Sequence, residues 1–272
     1  MDFISLRQSH AICHKLRYTC IDLDRIFLYL FLSHHTFEIE CFKEHKMKFL
    51  TSTLGLKAIM AVTGVILFGF VIGHMLGNLQ IFLGKQALND YATFLHTQPV
   101  LIWGTRIVLL VSIIGHIYSA VTLVKRSNAA RPINYEQKKF LGSTYAVRTM
   151  RYGGVILLLF IVYHLLHLTV GANVVPTEAA VKGCSSDPIA CNHVYNNVVN
   201  GFKIWWISFF YIIAQCCLGL HLTHGLWSGL RTLGFIKLAR QEQSKMAAVA
   251  FGTLITLGNC SIPLAVLFKI IE

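Results

Sequence analysis

Five apolar runs of about 20 residues dominate the chain, at roughly 55–76, 101–124, 150–171, 204–227 and 247–270. A helix rises about 1.5 Å per residue, so each run is long enough to cross the roughly 30 Å hydrocarbon layer of a bilayer. Lipid offers no partners to backbone N–H and C=O groups, so helices that close their hydrogen bonds internally are the expected form. The expected fold is all-α, an integral membrane bundle of five helices. Composition agrees. Of 272 residues, 55% are apolar and only 13% charged, too greasy for a soluble domain of this length.

A net charge of +12 would suit a nucleic-acid partner, but its distribution points elsewhere. Lys125, Arg126, Arg131, Lys138, Lys139 and Arg148 lie between the second and third runs, and Arg231, Lys237, Arg240 and Lys245 come after the fourth. The other two connections carry only Lys85 and then Lys182 and Lys203. This asymmetry is the positive-inside pattern. It places the start of the first span and both basic loops in the cytoplasm and the C-terminus outside. The four tryptophans, Trp103, Trp205, Trp206 and Trp227, fall at run ends, as an interfacial belt requires.

Residues 1–46 differ in character from the rest of the chain. They mix charge with five histidines and three cysteines around one short apolar run, 26–32, which cannot span a membrane. They are expected to be an extension outside the functional fold, with residues 47–272 forming the membrane domain and Met47 a natural start. Cys184 and Cys191 share the connection "CSSDPIAC", where a disulfide and two free thiols are equally open readings. Cys216 and Cys217 lie inside the fourth run as packing residues. No CxxC or CxxCH occurs, so neither covalent haem attachment nor a thiolate-held cluster is indicated.

Histidine is costly in a greasy helix, yet four successive runs carry it. His74 stands in "FVIGHMLGN" and His116 in "SIIGHIYSA". The pairs His164/His167 and His221/His224 stand in "YHLLHLTV" and "GLHLTHGLWSG". Intramembrane ionisable residues mark functional sites by default. Alternating helix direction puts His74 and His164 at an outer level and His116 and His221 at an inner one, roughly 10–15 Å apart along the helices. Two levels with two histidines each suit two haems stacked across one membrane, between the first four helices. Bis-histidine ligation leaves iron no open position, so such haems carry electrons and do not bind oxygen. Gly69, Gly73, Gly77, Gly115, Gly153 and Gly154 would let helices approach closely or clear space for a flat macrocycle.

Residues 48 to the end resemble the cytochrome b subunit of succinate:quinone oxidoreductases, of the single-subunit, five-helix, two-haem b558 kind that works with menaquinone. The resemblance is carried by "GVILFGFVIGHMLGN", "RYGGVILLLFIVYH" and "HLTHGLWSGLRTLG". It implies two b haems with His74 and His164 as axial ligands of the outer one and His116 and His221 of the inner one. It further implies a flavoprotein and an iron–sulfur protein as partners, with electrons passing from the clusters through both haems to or from a membrane quinone. The setting implied is the inner membrane of a prokaryote, with no nucleic-acid partner.

His167 and His224 stand one turn beyond their neighbours. Donating to a haem propionate, facing the quinone and bonding a carbonyl all remain open for them. Candidate propionate partners are Lys57, Arg148 and Arg151 at the inner level and Arg106 and His96 at the outer. Asp90 is a candidate proton acceptor for the quinone. Competing readings are the cytochrome b of a hydrogenase or formate dehydrogenase, a histidine-rich membrane hydroxylase or desaturase, and a transporter with histidine proton relays. The last would be expected to place acidic partners in its helices, and the five runs hold no Asp or Glu.

Overall fold

The computed structural model describes residues 50–131, 144–170 and 194–272. The extension expected at 1–46, the start at Met47, the Cys184/Cys191 connection and Lys138, Lys139 and Lys182 lie outside these residues. The helices belong to one unit, Thr53–Glu272.

Helix α1, Thr53–Asn78, continues into a 3-10 turn over Leu79–Leu83, and together they form the first apolar span. Gly84, at φ 105°, adopts a backbone that L side chains resist and turns the chain into α2, Lys85–His96. The second span is α3, Pro99–Ala129, which begins with a proline where a missing N–H costs nothing. Thr144 caps α4, Tyr145–His164, by accepting from the Val147 N–H at 3.4 Å. A π turn, Leu165–Val170, prolongs α4, and the third span ends within it at Thr169. The short helix α5, Val194–Lys203, precedes the fourth span, α6, Trp205–Thr232. A 3-10 turn at Leu238–Arg240 leads to the fifth, α7, Gln241–Leu267.

All five expected spans are helices, with two departures from the sequence reading. Helix α7 begins at Gln241 instead of near 247, because a polar first turn carrying Glu242 is stabilised by the helix dipole and by a 2.8 Å pair with Lys245. Segments read as plain connections contain α2 and α5, which are too short and too polar to register as spans. Helix α6 ends in a Schellman motif: Phe235 N–H bonds Leu230 C=O, Gly234 N–H bonds Arg231 C=O, and Gly234 supplies φ 82°. The end of α7 repeats the motif with Lys269 at φ 57° in the position glycine usually takes.

Helix α6 is the hub, packing on α1, α4 and α7, while α3 packs on α1. Neither α1 with α4 nor α3 with α6 packs extensively. The densest core lies at the end covered by α2 and α5, where Ile81, Leu88, Val199, Phe202, Ile207 and Val266 are buried together. Tyr195 ties this end down: its N–H donates to Asn89 Oδ1 and its hydroxyl to the Glu272 carbonyl, both at 3.1 Å. Helices α6 and α7 touch backbone to backbone at Gly219 and Gly252. A Cβ on Gly252 would stand 2.8 Å from the Gly219 carbonyl oxygen. Mid-helix residues such as Val111 (65% exposed), Leu159 (63%) and Leu257 (64%) turn apolar side chains outward. That is the surface a bilayer requires of a multi-pass membrane fold.

Candidate functional site

The helices bring the histidines together in two pairs. His74 of α1 and His164 of α4 have ring centroids 5.7 Å apart at an interplanar angle of 88°. His116 of α3 and His221 of α6 are 6.3 Å apart at 53°. Two separate helices measure the spacing between the levels. On α1, His74 lies ten residues beyond Gly64, which touches His116, and on α6 Tyr211, which touches His164, precedes His221 by ten. Ten helical residues rise about 15 Å.

The His116/His221 pair is seated by α1. His116 Nδ1 lies 3.1 Å from the Met60 carbonyl and 3.2 Å from Thr63 Oγ1. A carbonyl can only accept, so Nδ1 carries the proton and Nε2 keeps its lone pair free. Thr63 itself donates to the Ile59 carbonyl at 2.7 Å. Gly64 leaves room for the ring: a Cβ there would reach His116 Cε1 at 3.4 Å. His221 Nδ1 is buried with no hydrogen-bond partner among the described residues.

The His74/His164 pair sits among aromatic rings. His74 stacks on Phe70 at 5.3 Å, and His164 packs on Phe160 at 5.7 Å and Tyr211 at 5.9 Å. The Tyr211 hydroxyl reaches both His164 Nδ1, at 3.4 Å, and His167 Nδ1, at 2.9 Å. His167 thus joins the His74/His164 pair through a phenol. His224 instead faces Trp227, at 6.4 Å between ring centroids.

The remaining candidates are placed less closely. Arg106 lays its guanidinium 4.9 Å over the ring of Trp103 on its own helix. Asp90 accepts from Gln86 Nε2 at 2.7 Å on the exposed face of α2, where His96 is also exposed. Lys57, Arg148 and Arg151 are exposed near the starts of α1 and α4. Sequence reasoning missed Met60, Thr63, Gly64 and Tyr211. A hydroxyl next to a glycine inside an apolar span was the available signal for Thr63 and Gly64. Tyr211 had none, because aromatic residues are common in such helices.

The chain matches no protein-family model, no curated protein sequence and no solved structure.

The donor set itself limits what the histidines can hold. Among the described residues no three His, Cys, Asp or Glu side chains converge as metal ligands. A bare zinc ion or a di-iron centre takes three or more protein donors, so these pairs do not suit one. A metal that brings its own in-plane ligands needs only two axial ones, as haem iron does. Metal–nitrogen bonds of about 2 Å on either side of a shared iron put two imidazole centres about 6 Å apart, the spacing of both pairs. His116 has Nδ1 donating to a carbonyl, the usual support of a metal-binding histidine. At Gly69, Gly73, Gly153, Gly154 and Gly225 an added Cβ would meet no protein atom within 4 Å, so backbone there offers open, flat surface. The residues fit two haems.

Proposed function

We propose that the chain is a di-haem cytochrome b, the membrane anchor of an oxidoreductase complex of the succinate:quinone type. The observation that carries the reading is the pairing of histidines from non-adjacent helices, two at each of two levels, with no third protein donor at either among the described residues. His74 and His164 would hold one haem and His116 and His221 the other. Held by two histidines each, the haems supply one-electron transfer with no position open for oxygen.

The chain's own contribution is to fix the ligands. The carbonyl of Met60 sets the tautomer of His116. The dense end under α2 and α5 anchors the helices that carry the outer pair. The basic residues Lys125, Arg126, Arg231, Lys237, Arg240 and Lys245 gather at the ends of α3 and α6 and the start of α7. By the positive-inside rule that end is cytoplasmic, which makes His116 and His221 the inner pair in the inner membrane of a prokaryote. A flavoprotein and an iron–sulfur protein are the partners this reading calls for, and a membrane quinone, menaquinone by the sequence resemblance, is the mobile electron carrier. Succinate as the substrate of the complex rests on that resemblance alone, and the cytochrome b of a hydrogenase or formate dehydrogenase is the alternative.

The test is spectroscopic. Protein purified from a haem-replete membrane should show reducible low-spin b-type bands, and one purified without any haem bands would remove the proposal. Affinity purification from its native membrane then distinguishes the partners: covalently bound or tight flavin with succinate-reducible haem supports the succinate type, and nickel or molybdenum in its place supports the alternative.

A further inference from the structure

We propose that Tyr211 is a positioning residue for the outer histidine pair, holding His164 through its hydroxyl and being oriented in turn by His167. The inference deepens the proposed function and rests on His164 being an axial ligand.

The hydroxyl of Tyr211 has one proton to give and can accept another hydrogen bond. It stands 2.9 Å from His167 Nδ1 and 3.4 Å from His164 Nδ1. Only one polarity of this chain leaves His164 able to bind a metal through Nε2. His164 Nδ1–H donates to the phenol oxygen, and the phenol O–H donates to His167 Nδ1. The reverse polarity would put the His164 proton on Nε2 and block it. In this polarity the hydroxyl donates across the shorter contact and accepts across the longer one.

The phenol is firmly held. Tyr211 is buried, edge-on to Phe160 at 5.0 Å and to Phe202 at 4.9 Å. His167 is held as well, lodged against α5 where a Cβ on Gly201 would come within 2.8 Å of its Nε2. It sits in the π turn that begins directly after His164, a local departure from the α-helix that recurs at functional sites. The arrangement differs in kind from that at the inner pair. There the acceptor for His116 is a backbone carbonyl that no substitution removes. At the outer pair the acceptor is one side-chain oxygen at the centre of a chain crossing α4 and α6.

Tyr163 provides the control. Its hydroxyl is also buried in this aromatic cluster, its ring stacks on His167 at 5.6 Å, and the hydroxyl has no hydrogen-bond partner among the described residues. Tyr163→Phe therefore makes the same chemical change beside the same histidines without cutting the chain.

The experiment measures haem content and both midpoint potentials in the full-length holoprotein and in three variants. Wild type should contain two haems; wild type without haem overturns the cofactor reading and with it this proposal. Given two haems, Tyr211→Phe should retain both and shift one potential upward, because an imidazole that loses its acceptor donates less to ferric iron. His167→Leu should shift the same haem in the same direction by less, since it weakens the phenol as an acceptor without removing it. Tyr163→Phe should leave both potentials at their wild-type values. Unchanged potentials in Tyr211→Phe, or an equal shift in Tyr163→Phe, overturn the positioning role while the two-haem reading stands. If Tyr211→Phe does not accumulate, His167→Leu decides in its place, and no shift there overturns the proposal.

Discussion

His116 and His221 face each other with 6.3 Å between ring centroids, although the helices that carry them do not pack extensively on one another. Their common neighbour is α1, which seats His116 on Met60 and Thr63 and packs against α6. The two rings thus meet from helices that are not close neighbours, where direct helix packing would bring small residues together instead.

Stoichiometry is set by the pairing. The purified chain should bind two non-covalent b haems, both six-coordinate, measured as pyridine haemochrome against protein. One haem per chain would contradict the pairing of four histidines at two levels.

The two histidine doublets should respond asymmetrically. His164→Leu or His221→Leu should remove one haem or leave it five-coordinate, since each deletes a member of a facing pair. His167→Leu and His224→Leu should keep both haems low-spin, since neither ring faces a histidine of another helix. Absorption and low-temperature EPR spectra of the four variants check this, and a haem lost from His224→Leu but not from His221→Leu would reverse the choice within that doublet.

The seat of His116 can be probed from α1. Gly64→Val adds bulk where even a Cβ would be 3.4 Å from the imidazole, and should lower occupancy of one haem while sparing the other. Thr63→Val removes a hydroxyl acceptor but leaves the Met60 carbonyl, so both haems should remain. Haem content and spectra of the two variants distinguish these outcomes. Loss from Thr63→Val with no effect of Gly64→Val would mean that the hydroxyl, not the space, positions the ring.

Two substitutions should move stability in opposite directions. Gly252→Ala drives a methyl toward the Gly219 carbonyl of α6 and should cost roughly 1–3 kcal/mol, as overpacking does. Lys269→Gly relieves a left-handed backbone at φ 57° and should gain up to about 1 kcal/mol. Reversible unfolding in mixed detergent micelles measures both. A neutral Gly252→Ala would mean that the helices separate at little cost.

Much of the architecture was legible because lipid imposes a simple rule: a segment about 20 residues long and apolar throughout must be a helix. The histidine pairing was legible for a related reason, since strict up-and-down alternation converts position along each run into depth. The supports of the histidines were not. Met60 acts through its carbonyl, which every residue possesses, and Tyr211 is one of ten tyrosines in the chain. Helices α2 and α5 escaped notice because their amphipathic pattern is short and their burial depends on packing, of α2 against the Leu79–Leu83 turn, α3 and α5 and of α5 against α6 and α7, a tertiary effect. The early start of α7 depends on a Glu242–Lys245 pair in its first turn, which hydropathy counts only as polarity.

The contact between Gly219 and Gly252 ties the histories of two distant stretches of the chain. Each glycine lacks a side chain where the other helix presents a carbonyl oxygen: a methyl at position 252 would stand 2.8 Å from the Gly219 carbonyl, and one at position 219 would meet the Thr256 side chain first and the Gly252 carbonyl at 3.2 Å. At position 252 only a shift of one helix relieves the clash with main chain, whereas at position 219 a smaller residue in place of Thr256 removes the closest contact. Since α6 also carries His221 and Tyr211, such a shift would disturb both histidine levels at once. Sequence drift along this seam is therefore restrained from two sides, and other chains with this histidine pattern should keep small residues at both places even where the surrounding apolar residues have been exchanged freely.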